Sequence, residues 1–192
     1  MKHLLSFYAA PITNKKPSGE VELCDLHKYI TTDARLQEAT ATVRAAYEAV
    51  NMEQYKQAKI KLLPYVTPAG VFTEAKNSGL VYANGLIGFD VDKLPSHEAA
   101  CKLRDRLFED QLLQVRLAFV SPSGCGVKLF VPYELAVYLP FENHYRNMLE
   151  RVWFYMESIY DVEPDRACKD IARACFLCHD PEAKYRSENF RK

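Results

Sequence analysis

Two periodicities alternate along the chain, one of period two and one near 3.6, with polar turns between them. Residues 3–9 read as a first strand and Val21 to Leu23 as a short second one. Leu36, Ala39, Val43, Tyr47 and Val50 then recur at helical spacing, with Asp33 in the N-cap position. A second helix is predicted over Met52 to Leu62, with Tyr55, Ala58 and Leu62 on one side, and Pro64 ends it. Residues 65–72 read as a strand interrupted by a Pro-Ala-Gly turn. Asn77-Ser78-Gly79 and Asn84-Gly85 flank Leu80-Val81-Tyr82, which gives a hairpin feeding the apolar run Leu86-Ile87-Gly88-Phe89.

Ser96 caps the next helix, along which lie Ala100, Leu103, Leu107 and Gln111. Strands follow over residues 115–120 and 127–131, joined by a turn at 121–126. Pro140 precedes a long helix whose apolar face is Phe141, Tyr145, Met148, Val152, Met156 and Ile159. After a break at 161–164, the pattern predicts a short helix at about 166–174 and a strand Cys175-Phe176-Leu177-Cys178. Residues 181–192 are polar and aperiodic, and read as a frayed tail or the start of a linker. The order of elements predicts an α+β chain built around one largely antiparallel sheet flanked by helices, with residues 1–180 as a single domain.

Composition narrows the function classes. The 192 residues are 48% hydrophobic and 26% charged, enough for one domain with a substantial core. The formal net charge is zero, so any nucleic-acid contact must come from a local patch or another domain. No apolar run approaches the roughly 20 residues that span a membrane. The first eight residues are too short in apolar character for a secretory signal. The six scattered cysteines then read as reduced thiols, and a cytoplasmic protein is expected.

Three segments carry candidate chemistry. In Gly88-Phe89-Asp90-Val91-Asp92, residues two apart share a face of the strand, so Asp90 and Asp92 project together. A hard divalent cation would relieve their repulsion, and an Asx-turn is the plainer alternative. In Ser121-Pro122-Ser123-Gly124-Cys125-Gly126-Val127-Lys128, the glycines permit an anion nest, Ser121 and Ser123 add hydroxyls, and Lys128 adds a compact charge for a phosphate. The alternative is a hairpin turn with a solvated lysine. In the third segment, Asp165 suits a cap or a ligand, and Arg173 suits pairing with Asp170, a phosphate or another carboxylate. Cys175-Phe176-Leu177-Cys178-His179 is only half of a zinc pattern, so zinc is not expected.

In this order and spacing, these segments together with Lys61-Leu62-Leu63-Pro64 and the stretch from Asp165 to Pro181 resemble the VirE N-terminal domain family of Bacteroidetes. More widely they resemble the archaeo-eukaryotic primase superfamily. The resemblance implies a primase-polymerase-like, RRM-like core that binds NTP or dNTP with Mg2+ or Mn2+. It implies a nucleotidyltransferase domain of a mobile-element or phage replication protein, acting on a DNA template with a helicase or ATPase domain in cis or trans. By position, Asp90, Asp92 and Asp165 become the catalytic and metal-binding carboxylates. Ser121, Ser123, Gly124, Gly126, Lys128 and Arg173 become the nucleotide-phosphate contacts. Lys128 stands where many primases carry His, and residues 176–181 replace the Arg-Pro-Gly run of plasmid-type enzymes. A catalytically degenerate nucleotide-, DNA- or partner-binding module of the same fold is the alternative.

Overall fold

The computed structural model describes residues 3–136, 140–163, 165–166 and 169–187. Its strands are β1 (Leu4–Tyr8), β2 (Gly19–Glu22), β3 (Tyr65–Thr67), β4 (Gly70–Phe72), β5 (Leu80–Ala83), β6 (Leu86–Val91), β7 (Leu117–Val120), β8 (Val127–Pro132), β9 (Cys175–Phe176) and β10 (Lys184–Tyr185). Its helices are α1 (Leu23–Thr32), α2 (Ala34–Glu48), α3 (Met52–Leu62), α4 (His97–Glu109) and α5 (Phe141–Tyr160). This is an α+β fold, as expected, and every strand pair is antiparallel.

The single sheet foreseen from the pattern is replaced by two four-stranded sheets, β2-β1-β3-β9 and β10-β7-β8-β6, plus the hairpin β4-β5. The cause lies in how the strands of the second sheet divide their side chains. Ile87, Phe89, Val91, Ala118, Val120, Val127, Leu129 and Val131 enter one core with α4 and α5. Leu86, Leu117, Phe119 and Phe130 enter a second core with the first sheet and α1–α3. A sheet buried on both faces supports two cores, and its strands read as nearly continuous apolar runs.

Local signals explain several elements. Asp33 and Ser96 accept hydrogen bonds from the N–H groups of Leu36 and Ala99, so both predicted caps are made. Helix α3 has the predicted bounds, with Asn51 as its cap. Helix α1 is a helix missing from the pattern reading: Glu22 precedes it without a side-chain cap, so it lacks the usual start signal. In α5 the buried residues are Tyr145, Leu149, Trp153 and Met156, whereas Ile159 is exposed. The face toward the core is therefore rotated from the predicted one.

Two late segments also differ. The described residues among 166–174 form turns and irregular chain rather than a helix. The segment beyond 180, expected to fray, adds β10 to the edge of β7, with Lys184 opposite Ala118 and Tyr185 opposite Leu117. It is held by burial of Ala183 and by Asp180. The Asp180 carboxylate accepts from buried Arg104 and from the Val120 N–H. Among the described residues, no helix is long and apolar enough to cross a membrane.

Candidate functional site

The face that β6 and β8 turn toward the second core ends in charge. Asp90 stands directly opposite Lys128 in the β6–β8 register, and the Lys128 ammonium donates to Asp90 Oδ1 at 2.7 Å. Lys128 is buried, which works against its charge, but the Asp90 carboxylate overrides this and holds the ammonium above its usual range. Asp165 is tied to the same strand end, because its N–H donates to the Asp90 carbonyl at 3.0 Å. Its carboxylate accepts from Arg173 at 2.8 Å. Arg173 thus holds a carboxylate, one of the roles foreseen for it, and does not pair with Asp170 through its side chain.

These groups line a cavity of about 490 Å³ together with Ile12, Tyr47, Met52, Tyr55, Lys59, Asp92, Lys93, Ser121, Pro122, Ser123 and Phe176. Asp92 lies just past β6 on the same side as Asp90 and accepts no hydrogen bond from a described residue. Although solvent reaches it, the surrounding protein raises its pKa by desolvation; Lys128 opposes this, while Asp90 and Asp165 add to it. The neighbouring Tyr55 hydroxyl is pushed up to about 12, by burial first and by Asp92 second.

The serine-glycine turn is tied in part to itself. The Gly124 N–H donates to the Ser121 carbonyl, the Ser121 N–H to the Gly126 carbonyl and the Cys125 N–H to Ser123 Oγ. These three amides are satisfied inside the turn. Gly124 takes φ +79°, a conformation that favours glycine. At Gly126, a Cβ would lie 2.6 Å from the Val91 carbonyl oxygen and 2.9 Å from Asp92 Oδ1. This glycine therefore allows the turn to approach the acidic strand end. Ser121 and Ser123 reach the cavity; Gly124 and Gly126 do not line it.

Sequence reasoning missed the opposite wall. Met52, Tyr55 and Lys59 recur on one face of α3, and Phe176 arrives on β9. Lys59 lies over both rings, 5.2 Å from the Tyr55 centroid and 5.5 Å from that of Phe176. The spacing at 52, 55 and 59 was the available signal, but it could not say what that face would meet. Cys175 and Cys178 are both buried, and burial pushes each thiol up to about 12.

The expected metal ligands, Asp90, Asp92 and Asp165, all line the cavity. Among the described residues, no three His, Cys, Asp or Glu side chains are grouped so as to hold an ion. Asp90 and Asp165 bind the protein's own cations.

Comparison with known proteins changes the kinship inferred from motifs. No curated protein and no solved structure matches the chain. A family model, the BT4734-like N-terminal domain, matches residues 57–185, two-thirds of the chain. This overturns assignment to the VirE N-terminal family, and nothing here supports a place in the primase superfamily. The motifs misled because an acidic strand end, a Ser/Gly turn and a late Asp are short features that strand-turn geometry itself favours. By its family match, the chain belongs to the BT4734-like N-terminal domain family.

Proposed function

We propose that this domain binds a nucleoside phosphate in the cavity between α3 and the β6–β8 strand ends. The observation that carries this reading is the charge balance of the lining. Lys59, Lys93, Lys128 and Arg173 face three carboxylates, Asp90, Asp92 and Asp165. Two ion pairs consume Asp90 with Lys128 and Asp165 with Arg173, leaving two lysines against Asp92. An anion entering here meets surplus positive charge in a partly desolvated space, where a charge-assisted hydrogen bond is strong. The apolar side formed by Ile12, Tyr47, Met52, Tyr55 and Phe176 suits a planar ring.

The uncommitted Asp92 carboxylate favours a second reading, metal-dependent nucleotidyl transfer on a DNA template. There Asp90, Asp92 and Asp165 would hold Mg2+ or Mn2+, whose contribution is to polarise the phosphoryl group. One substitution separates the two readings. For binding alone, Asp92→Asn removes a repelling charge, so calorimetric titration with ATP should show unchanged or tighter affinity, with or without Mn2+. If ATP binds only with Mn2+ and Asp92→Asn abolishes it, the metal-dependent reading replaces the first. If wild type shows no ATP binding under either condition, both readings fail.

A further inference from the structure

We infer that Lys59 is the residue that selects the ligand's phosphate, with the attached planar ring lying against Ile12, Tyr47 and Met52. This rests on reading the cavity as a nucleoside-phosphate site, and it assigns the phosphate contact to α3 rather than to the serine-glycine turn. Lys128 and Arg173 are already bonded to Asp90 and Asp165, and the Ser121, Gly124 and Cys125 amides are bonded within the turn. The Lys59 ammonium makes no ion pair or hydrogen bond with a described residue. It lines the cavity half-buried, steadied over Tyr55 and Phe176. A partly desolvated ammonium without an anion lacks its best partner, and an incoming phosphate supplies it. Among the described residues Lys93 also has no carboxylate partner, but it sits exposed, where water screens its charge.

The electrostatics agree with this geometry. Burial, followed by repulsion from Lys128, lowers the Lys59 pKa against the opposing pull of Asp92 and Asp90. A larger share of its amine is therefore neutral, and nucleophilic, than in a surface lysine.

The test titrates ATP, tripolyphosphate and adenosine separately into wild type, Lys59→Met and Lys59→Arg. Losing one charge-assisted contact should weaken ATP and tripolyphosphate about tenfold or more, leave adenosine unchanged, and be largely rescued by arginine. If wild type binds ATP and Lys59→Met binds it equally well, Lys59 is only a packing residue and this inference fails while the cavity reading stands. If wild type binds none of the three, the cavity reading fails and takes this inference with it. Pyridoxal 5′-phosphate provides an independent probe on unaltered protein. The lysine nitrogen attacks the aldehyde carbon, water leaves, and borohydride delivers hydride to the imine to leave a secondary amine. Peptide mapping should place the adduct preferentially at Lys59, with ATP protecting it. Labelling spread over surface lysines with no preference for Lys59 overturns the assignment.

Discussion

Two groups of ion pairs use the same chemistry for different ends. Around Arg104 the guanidinium is sealed, with 1% of its side chain exposed, and binds Asp105, Asp180 and Glu182. Around the cavity, Lys128 binds Asp90 and Arg173 binds Asp165, with Asp92 and Lys59 beside them uncommitted. The first group is closed: its strongest bonds are already made, and it fastens the last strand to the sheet. The second borders open space and has charge left over. The difference teaches that a buried ion pair alone marks neither structure nor function. Its neighbours' unused capacity and access to a cavity decide which it serves.

The sharpest way to break this comparison is to remove Arg104. Arg104→Met leaves Asp180 buried without its cation, and should cost about 3–5 kcal/mol in urea unfolding. It should also release β10, seen as faster amide exchange at Lys184 and Tyr185. A loss below about 1 kcal/mol would show that the sealed network is not a structural anchor. In the cavity, Lys128→Met should cost about 2 kcal/mol, because it strands Asp90. Adding Asp90→Asn should recover most of that loss, a coupling measurable by a double-mutant cycle. Arg173→Ala, at a pair that solvent reaches on both sides, should change stability by less than about 1 kcal/mol.

The smallest effect concerns pH. The folded protein raises the Asp92 pKa above that of the unfolded chain, so the folded state keeps the proton longer. The contribution of Asp92 to stability is therefore full in acid. It declines as pH rises from the ordinary carboxylate value, about 3.9, to the raised one. Asp92→Asn should unfold at a slightly higher temperature than wild type at pH 7, and the two melting curves should converge below pH of about 3.9. A destabilising effect at pH 7 would mean that Asp92 has a partner favouring its charge.

The local half of this molecule was legible in the sequence. Pro64 ends α3, Asp33 caps α2, and the alternation around Asp90 put both aspartates on one face, which the structure turns toward the cavity. These features depend on neighbours close in the chain. The features that were not legible depend on distant ones. The pairing of Asp90 with Lys128 is set by the β6–β8 register, and Lys59 gains its meaning only when β9 brings Phe176 over it. The segment after 180 looked like tail because its few apolar residues carry no period; it is ordered by Arg104, seventy-six positions before Asp180. Kinship was the least legible, since short motifs constrain a local geometry more tightly than they constrain ancestry.

The hydrogen bond from the Asp165 amide to the Asp90 carbonyl makes the site a built-in gauge. It joins the late segment to the floor through backbone alone, so it persists when either side chain is replaced. Its proton can leave for solvent only when the two part. The exchange lifetime of that single amide therefore reports how tightly the two halves of the cavity stay latched. A ligand bridging them would lengthen it, and one resting on α3 alone would leave it unchanged.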